Sequence, residues 1–303
     1  MIGIIKRLFA AFLALFVFFP SNVDTWYSLN KEANMSAIII GDVHMEGNNM
    51  DRFKNIGKYF NNAFATEKQP DAVGFLGDNT MNGQYIEWMF FYGFLERFDI
   101  LDKTVVAMGN HDFGNNDDAD TYAKTSKRCI RNYNDYCNKN IDKVYYSTMI
   151  NGYKFIVLGS ESNEPDTISN ISDEQIDWLK AELASADGKP VFVLNHNLVS
   201  GTTGYSGAYF NQTTNDAKLR AALHSYIGKV FYFCGHSHAP LSMSSIADQL
   251  NVAYINLPEL GSGVGLTIDA FDNYVEIKFY DYFNAKPVEG FASFTFFTPD
   301  IQP

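Results

Sequence analysis

Five short apolar runs recur along the chain, and each ends at a glycine or an asparagine that polar residues follow. The runs cover 37–40, 72–76, 104–108, 191–194 and 231–234. Short apolar runs bounded by turn formers are typical of buried β-strands, because a strand covered on both faces has no polar side. The pattern therefore predicts five strands that end in sharp turns.

Helical patterns lie between the predicted strands, and they cover 50–63, 85–97, 172–186 and 216–227. The first has apolar residues at helical spacing, and the second is apolar nearly all round, which is typical of a helix buried on several sides. In the third, Ser172 is predicted to cap the helix and Gln175 to close a capping box. Gly228 is the predicted residue after the fourth helix. Strands that alternate with helices indicate βαβ units and an α/β fold.

Further segments carry weaker signals. Asn151-Gly152 and Asp272-Asn273 are turn pairs that predict two β-hairpins. The polar stretch 112–142 contains a run similar to a calcium loop, but it lacks the required glycine and terminal glutamate, so we interpret it as a solvated part of the rim above the site. The loop 200–210, which carries Tyr205 and Tyr209, is either a substrate lid or an ordinary surface loop.

Candidate metal-binding or catalytic side chains come directly after the five predicted strands. They are Asp42, His44, Asp78, Asn110, His111, Asp112, His196, His236 and His238. Alone, a His-x-His pair such as His236 and His238 is more often a surface turn than a metal site. Ligands can nevertheless be collected beyond the carboxyl ends of the strands of an α/β sheet, so these residues can meet. Oxygen and imidazole donors without a plausible thiolate suit Zn, Mn, Fe or Co and do not separate them.

The ordered set Asp42-x-His44, Gly77-Asp78, Gly109-Asn110-His111-Asp112, His196 and Gly235-His236-x-His238 resembles the calcineurin-like metallophosphoesterases over residues 36–265. The resemblance implies a two-sheet β-sandwich flanked by helices, in four αββα layers. It also implies two divalent transition-metal ions, with Asp78 bridging them. One ion would be held by Asp42, His44, Asp78 and His238, and the other by Asp78, Asn110, His196 and His236.

The same resemblance implies the chemistry. A metal-bridging hydroxide would be the nucleophile, because metal binding lowers the pKa of water to near neutrality. His111 is the candidate donor to the leaving oxygen, and Asp112 is expected to steady His111. A non-catalytic binding module on the same scaffold is the opposing hypothesis. Such relatives usually lose a ligand or the histidine donor, whereas this chain retains all of them.

Departures from the family's branches narrow the substrate class. Its protein serine/threonine phosphatases have arginines where this chain has Met108 and, after Asp78, the stretch 79–82. Its purple acid phosphatases have a tyrosine where Met81 stands and a glycine where His44 stands. The nearest likeness is to the bacterial cyclic-nucleotide and glycerophosphodiester phosphodiesterases. We therefore expect a phosphodiesterase with a small substrate, and a broad phosphomonoesterase is the alternative.

Composition adds two constraints. The chain has 303 residues, of which 46% are hydrophobic and 16% aromatic, so it can bury a sizeable core. Its formal net charge of −12 argues against a nucleic-acid polymer as the main partner. A small phosphoester is affected much less by this charge.

The N-terminal pattern predicts export. Lys6 and Arg7 precede an unbroken apolar run, 8–19, and a polar break follows, which is the order of a secretory signal. The run is shorter than the ~20 apolar residues that a membrane span needs, and an uncleaved membrane anchor is the alternative. We therefore expect a signal peptide or anchor at 1–21 and one metallophosphoesterase domain at 22–303, facing outward.

Cysteine usage bears on the same question. Cys129 and Cys137 bracket a polar stretch and are a candidate disulfide pair, which would fit an oxidising compartment. Two surface thiols in a cytosolic protein are the alternative.

Overall fold

The structure, a computed structural model, describes residues 29–114, 119–162, 167–207, 212–291 and 293–298. The predicted signal segment 1–21 and the aromatic residues Tyr209 and Phe210 of the predicted loop lie outside these ranges. Among the described helices, none combines the length and the apolar character that a membrane crossing requires.

The first sheet has seven strands and carries three of the five predicted ones. The order is β12-β11-β10-β1-β2-β3, with β13 also paired to β11, and β1, β2 and β3 run parallel. Its strands are β1 (Met35–Ile40), β2 (Ala72–Leu76), β3 (Thr104–Ala107), β10 (Val264–Ala270), β11 (Tyr274–Asp281), β12 (Lys286–Pro287) and β13 (Phe294–Phe297). The predicted hairpin at 272–273 joins β10 to β11.

The second sheet has six strands in the order β4-β5-β6-β7-β9-β8. The strands β5, β6, β7 and β9 run parallel, and β4 and β8 are antiparallel edges. Its strands are β4 (Tyr146–Ile150), β5 (Tyr153–Val157), β6 (Val191–Leu194), β7 (Val230–Cys234), β8 (Ile246–Gln249) and β9 (Val252–Asn256). The predicted Asn151-Gly152 turn joins β4 to β5, with both residues at positive φ, as a tight hairpin requires.

The two sheets pack face to face, and helices cover their outer faces. The core between the sheets includes Phe192 and Phe231, whose rings stack at 5.5 Å between centroids. Helices α1 (Met50–Phe64) and α2 (Tyr85–Arg97) pack on the first sheet. The ring centroids of Phe60 in α1 and Phe91 in α2 lie 6.1 and 5.0 Å from that of Phe75 in β2. A second apolar cluster joins α5 (Asp173–Ala184) and α6 (Asp216–His224) to the other sheet. The four-layer αββα sandwich is confirmed.

Two predicted helix ends need correction. Ser172 caps α5 as predicted, since its hydroxyl accepts from Gln175 N at 3.1 Å. Gln175 does not close the capping box, because its amide donates to Gly159 O and to Glu161, which itself accepts from Ser172 N. Helix α6 ends at His224 rather than near 227. Asn251 explains the early end, because its amide donates to the carbonyls of residues 223, 226 and 228.

A long helix that the sequence reading missed lies within the polar stretch 112–142. The stretch begins with the single-turn helix α3 (Asn110–Phe113) and continues with α4 (Ala119–Cys137). The buried residues of α4 recur at helical spacing but are Thr, Ser, Cys, Asn and Tyr rather than aliphatic ones: Thr125, Ser126, Cys129, Asn132, Tyr133, Tyr136 and Cys137. Tyr133 ties the helix to the first sheet, since its hydroxyl donates to Thr104 O at 2.8 Å.

The predicted disulfide between Cys129 and Cys137 is wrong. Neither cysteine forms a disulfide, both are buried, and both belong to α4. Residues eight positions apart in one helix are separated by about 12 Å, whereas disulfide-bonded Cα atoms lie within about 7 Å. These cysteines therefore give no support to an oxidising compartment.

Candidate metal centre

The loops after the parallel strands bring the predicted ligands together at one end of the sandwich. Three groups of donor atoms each lie within 4.8 Å of one another. The groups are Asp42, His44 and His238; His44, Asp78 and His111; and Asp78, His196 and His236. Asn110 joins the third group, because its Oδ1 lies 3.0 Å from His196 Nε2. Residues from both sheets thus surround one centre.

The backbone of this centre is strained at four of the predicted ligands. His44, Asp78, His236 and His238 have φ values of 48°, 47°, 61° and 49°. Residues other than glycine rarely adopt this left-handed conformation, which costs about 1–3 kcal/mol and is concentrated at functional sites. This backbone conformation directs each side chain from the end of its strand towards the centre.

Two glycines of the motifs are needed because a carboxylate presses against them. A Cβ atom at Gly109 would lie 2.1 Å from Asp78 Oδ1, and one at Gly235 would lie 2.5 Å from Asp42 Oδ1. Neither carboxylate could keep its place beside an alanine. The glycines before Asn110 and His236 therefore make room for ligands from neighbouring loops.

Imidazoles and carboxylates face each other across the centre. His44 Nε2 and His238 Nε2 are 3.0 Å apart, and so are His196 Nε2 and His236 Nδ1. Asp78 Oδ2 lies 3.2 Å from His196 Nε2 and 3.7 Å from His44 Nε2. Nitrogens that face each other in pairs beside carboxylate oxygens form a set of lone pairs directed to common points.

Burial sets the electrostatics of the centre. It raises the pKa of Asp42 to about 8, although the nearby His196 acts in the opposite direction. Burial would also raise the pKa of Asp78, but the neighbouring histidines, led by His196 and joined by His44 and His111, together outweigh this effect and hold that pKa well below its usual range. His196 pairs more closely with Asp78 than with Asp42, at 3.2 against 3.5 Å. Without a further cation, Asp42 therefore keeps its proton.

The pKa values of the histidines also differ from one another. Burial opposes protonation of His196, but the neighbouring Asp78 and Asp42 carboxylates raise its pKa to about 9. Burial lowers the pKa of His44 to about 3 and also lowers the pKa of His238. His44 and His238 are therefore neutral at physiological pH, with lone pairs available to a metal ion.

These residues fit divalent cations. Asp42 and Asp78 are buried, and within the described ranges their ion-pair partners are histidines only. Without Lys or Arg partners, both carboxylates can be ionised together only if further positive charge is bound, because an uncompensated buried charge is costly. His44 Nδ1 is a buried nitrogen without a hydrogen-bond partner among the described residues. Oxygen and imidazole donors, without thiolate, suit a transition metal.

His111 lies beside the ligands. Its backbone N–H donates to Asp78 Oδ1 at 2.9 Å, and its ring meets the His44 ring edge-on at 4.8 Å between centroids. His111 Nδ1 lies 2.7 Å from Met81 O. Because a carbonyl oxygen only accepts, Nδ1 carries a proton and Nε2 is left for other partners.

Among the described residues, no hydrogen bond joins Asp112 to the ring of His111, in contrast to the expectation that Asp112 steadies this histidine. Asp112 Oδ2 accepts from Asn79 N, Asn79 Nδ2 and Gly109 N at 2.9–3.2 Å. Asp112 Oδ1 accepts from Thr80 N and Thr80 Oγ1 at 2.9 and 2.8 Å. Met81 O takes the place at His111 that the prediction gave to Asp112. The carboxylate instead joins the loop after β2 to the loop after β3.

The sequence reading missed the partners of Asp112 and of the central turn. Asn79 and Thr80 enter the prediction only as positions without arginine, although two polar residues directly after a ligand are a usable signal. Ser237 Oγ accepts from Asn256 Nδ2 at 2.8 Å and from Ala239 N at 3.2 Å, which fixes the turn that carries His236 and His238. The Met81 contact uses a backbone carbonyl, so no side chain could have signalled it.

Two other features contact residues that are not predicted ligands. His224, the sixth histidine of the chain, belongs to α6 and contacts Asn251 and Tyr254. The described part of the predicted lid, 200–207, is held by its own hydrogen bonds and by Gly204 N, which donates to Ser244 O at 2.7 Å. Tyr205 in this loop has 40% of its surface exposed.

A family model described as calcineurin-like phosphoesterase matches residues 35–240, more than half of the chain. The sequence has no match among proteins with curated descriptions.

Two solved structures show the same fold. A purple acid phosphatase, PPD1, from seeds of yellow lupin (Lupinus luteus) is similar with a TM-score of 0.63 and 16% identity, covering 89% of this chain and 55% of that one. A structure of PhoD is similar with a TM-score of 0.55 and 11% identity, covering 80% of this chain and 65% of that one. The chain thus spans less than two thirds of the length of either structure. At these identities the likeness is one of fold.

Proposed function

The chain belongs to the calcineurin-like phosphoesterase family, and we propose that it is a metal-dependent hydrolase of phosphoric ester bonds. This proposal rests on the three groups of donor side chains, one with Asp42 and two with Asp78. Loops from both sheets bring these groups together. The family and these groups indicate a dinuclear centre of divalent metal ions. The proposed substrate is a small phosphodiester.

The candidate ligands would form two metal-binding positions. Asp42, His44 and His238 would hold one ion, and Asn110, His196 and His236 the other. Asp78 would serve both, since its carboxylate belongs to donor groups on either side. When bound, two such metal ions would supply a water nucleophile at neutral pH and would neutralise charge on the phosphoryl oxygens.

The protein's own contribution to bond cleavage is a proton. His111 lies at the edge of the ligand group, and Met81 O holds the proton on Nδ1. A proton passed to the leaving oxygen therefore comes from Nε2, and His111 must be an imidazolium to supply it. Asp112 acts indirectly by fixing the loops that carry Asp78 and Asn110.

The expectation of a diester rests on the loops beside the centre. Met108 and the stretch 79–82 stand where the family's protein phosphatases have arginines. Asn79 and Thr80 are buried and hydrogen-bonded to Asp112, and Asn82 donates to Glu87, so these side chains are engaged within the protein. Without that pair of arginines, the protein has less positive charge with which to hold a doubly charged monoester.

A substrate comparison tests the proposal. Purified protein reconstituted with Mn, Zn or Fe is assayed with bis-(p-nitrophenyl) phosphate and p-nitrophenyl phosphate, and then with cyclic nucleotides and glycerophosphodiesters. We expect a higher kcat/KM for the diester. A higher value for the monoester with every metal would establish a phosphomonoesterase instead. Stoichiometric metal without turnover of any ester would support a binding module.

We also propose that the protein is exported, on the basis of Lys6, Arg7 and the apolar run 8–19. Fractionation of the source cells should find the protein outside the cytoplasm, and N-terminal sequencing should show whether the segment 1–21 is removed. A cytoplasmic protein with an intact N-terminus would contradict export.

A further inference from the structure

An ion pair involves the segment that packs on the Asp42 loop, and neither of its residues belongs to the sequence motifs. Arg52 belongs to the first turn of α1, and its guanidinium lies 3.6 Å from Glu259 Oε2. The Glu259 segment is tied to the centre, because Leu260 N donates to Asp42 O at 3.0 Å. The segment also packs closely there, since a Cβ at Gly41 would lie 2.3 Å from Pro258 O.

Both charges act on the predicted ligands. Glu259 makes a small contribution to the raised pKa of Asp42, and Arg52 makes a small contribution to the lowered pKa of His44, in both cases after burial and the effects of other ligands. Glu259 also acts on His238, the most exposed ligand, whose side chain is 40% accessible. Arg52 and Glu259 therefore lie near the ligands, and Glu259 acts on the one that solvent reaches most.

The pair is loose enough to change partners. Its separation of 3.6 Å is longer than a charge-assisted hydrogen bond, and the two side chains are 24% and 35% exposed. An arginine held in this way can turn towards an arriving anion without losing a tight bidentate contact.

We propose that Arg52 binds a phosphoryl oxygen of the substrate and that Glu259 is a positioning residue that restricts binding to singly charged phosphoryl groups. The inference rests on the proposed phosphoester hydrolysis and specifies its substrate class. One guanidinium offers a contact to one negative oxygen. The Glu259 carboxylate beside it repels the second negative charge of a monoester more than it affects a diester, because Coulomb repulsion grows with the charge of the anion.

Binding of two small probes to the Mn-loaded protein tests this without catalysis. Inorganic phosphate represents the doubly charged group and dimethyl phosphate the singly charged one. In Arg52→Gln, we expect both dissociation constants to rise, by about 10-fold, because a charge-assisted contact is lost. In Glu259→Gln, we expect phosphate to bind several-fold more tightly and dimethyl phosphate to change much less. Both should be measured by calorimetry.

Lys54→Gln is the matched control. Lys54 lies on the same helix and forms an ion pair with Asp51 at the same distance, 3.6 Å, but the two side chains are 64% and 91% exposed. Its removal changes the net charge as Arg52→Gln does and should leave both dissociation constants within twofold. If the two substitutions raise the dissociation constants equally, Arg52 attracts anions only through its charge. That result would overturn its role as a direct contact.

Hydrolysis separates this inference from the proposed function. If the unmodified protein cleaves none of the esters tested above with any metal, the proposed function fails. If it cleaves them, but Glu259→Gln leaves the ratio of monoester to diester kcat/KM and the ratio of the two dissociation constants unchanged, the role of Glu259 is refuted. If Arg52→Gln binds both probes as the unmodified protein does, the role of Arg52 is refuted.

Discussion

Replacing Asp112 distinguishes a residue that shapes the metal centre from one that takes part in proton transfer. Its carboxylate is buried and accepts hydrogen bonds from Asn79, Thr80 and Gly109. Asp112→Ala would leave three buried backbone N–H groups without an acceptor. At roughly 1–3 kcal/mol for each, we expect the free energy of unfolding to fall by at least about 3 kcal/mol. Because these groups carry the loops of Asp78 and Asn110, metal affinity should fall as well.

Asp112→Asn adds a test that depends on pH. Burial raises the pKa of Asp112 from 3.8 to about 6, despite opposing hydrogen bonds. The protonated carboxyl therefore stabilises the fold fully below pH 3.8, and this contribution is lost as the pH rises through 6. Between pH 4.5 and 7 the loss amounts to about 2 kcal/mol. Asparagine does not titrate, so the stability difference between the unmodified protein and the variant should shrink by that amount.

The measurement is chemical denaturation of the metal-free proteins at several pH values, combined with metal analysis and turnover of the loaded proteins. Asp177→Asn, in an aspartate whose side chain is 76% exposed, is the control and should show neither effect. The reasoning is refuted if Asp112→Asn keeps its metal, has a stability difference independent of pH, and loses rate only with poor leaving groups. That result would return Asp112 to the proton-transfer role.

Three further predictions concern the ligands and the donor. Asp78→Ala should lower the metal content of both positions and abolish turnover, and loss of only one equivalent by elemental analysis would contradict a shared ligand. His111→Ala should retain metal but lose about 10²–10⁴ in rate, less with good leaving groups, and an equal loss with all leaving groups would contradict a proton donor. Metal binding at pH 7 should release about two protons, one from Asp42, whose pKa is about 8 in the metal-free protein, and one from His196, whose pKa is about 9, and the release should fade as the pH rises above 9. Calorimetry in buffers of different ionisation enthalpy measures this release, which should drop by about one proton in Asp42→Asn.

The sheets could be predicted because their strands are buried on both faces. β1, β2, β3, β6 and β7 consist of buried residues throughout, and a continuous apolar run is how such strands are recognised in a sequence. The order of strands and the pairing of β1 with β10 could not be derived in this way. Partners far apart in sequence leave no local pattern, and here the family resemblance supplied the sandwich.

Helix α4 was missed because its buried face is polar in composition. Tyr133 and Tyr136 are buried, as are Cys129 and Thr125, so the helix has an inner face without a leucine or valine in it. A pattern based on aliphatic residues interprets such a segment as solvated. The disulfide error has the same origin, because two cysteines in a supposed loop can meet, whereas two in one helix cannot.

The ligands were predicted more fully than their supports. Gly109 and Gly235 leave a trace in the sequence, since only glycine fits beside the carboxylates of Asp78 and Asp42. The contact of His111 with Met81 O leaves none, because a backbone carbonyl is the same in every residue. Asp112 follows His111 in the chain, which suggested a direct contact, but a residue in a single helical turn faces away from its neighbour. Adjacency in sequence was the weaker guide.

The charge of the whole chain and the charge of its centre act over different distances. The net charge of −12 is spread over the chain, and surface charges are screened beyond about 10 Å at moderate salt. Two divalent ions would bring four positive charges against the two carboxylates of Asp42 and Asp78, and the pair Arg52–Glu259 adds none. A small phosphate anion that enters therefore meets a positive pocket at short range. A polyanion must also lie along the acidic surface outside, and for this reason the same protein can favour a small phosphoester and disfavour nucleic acid.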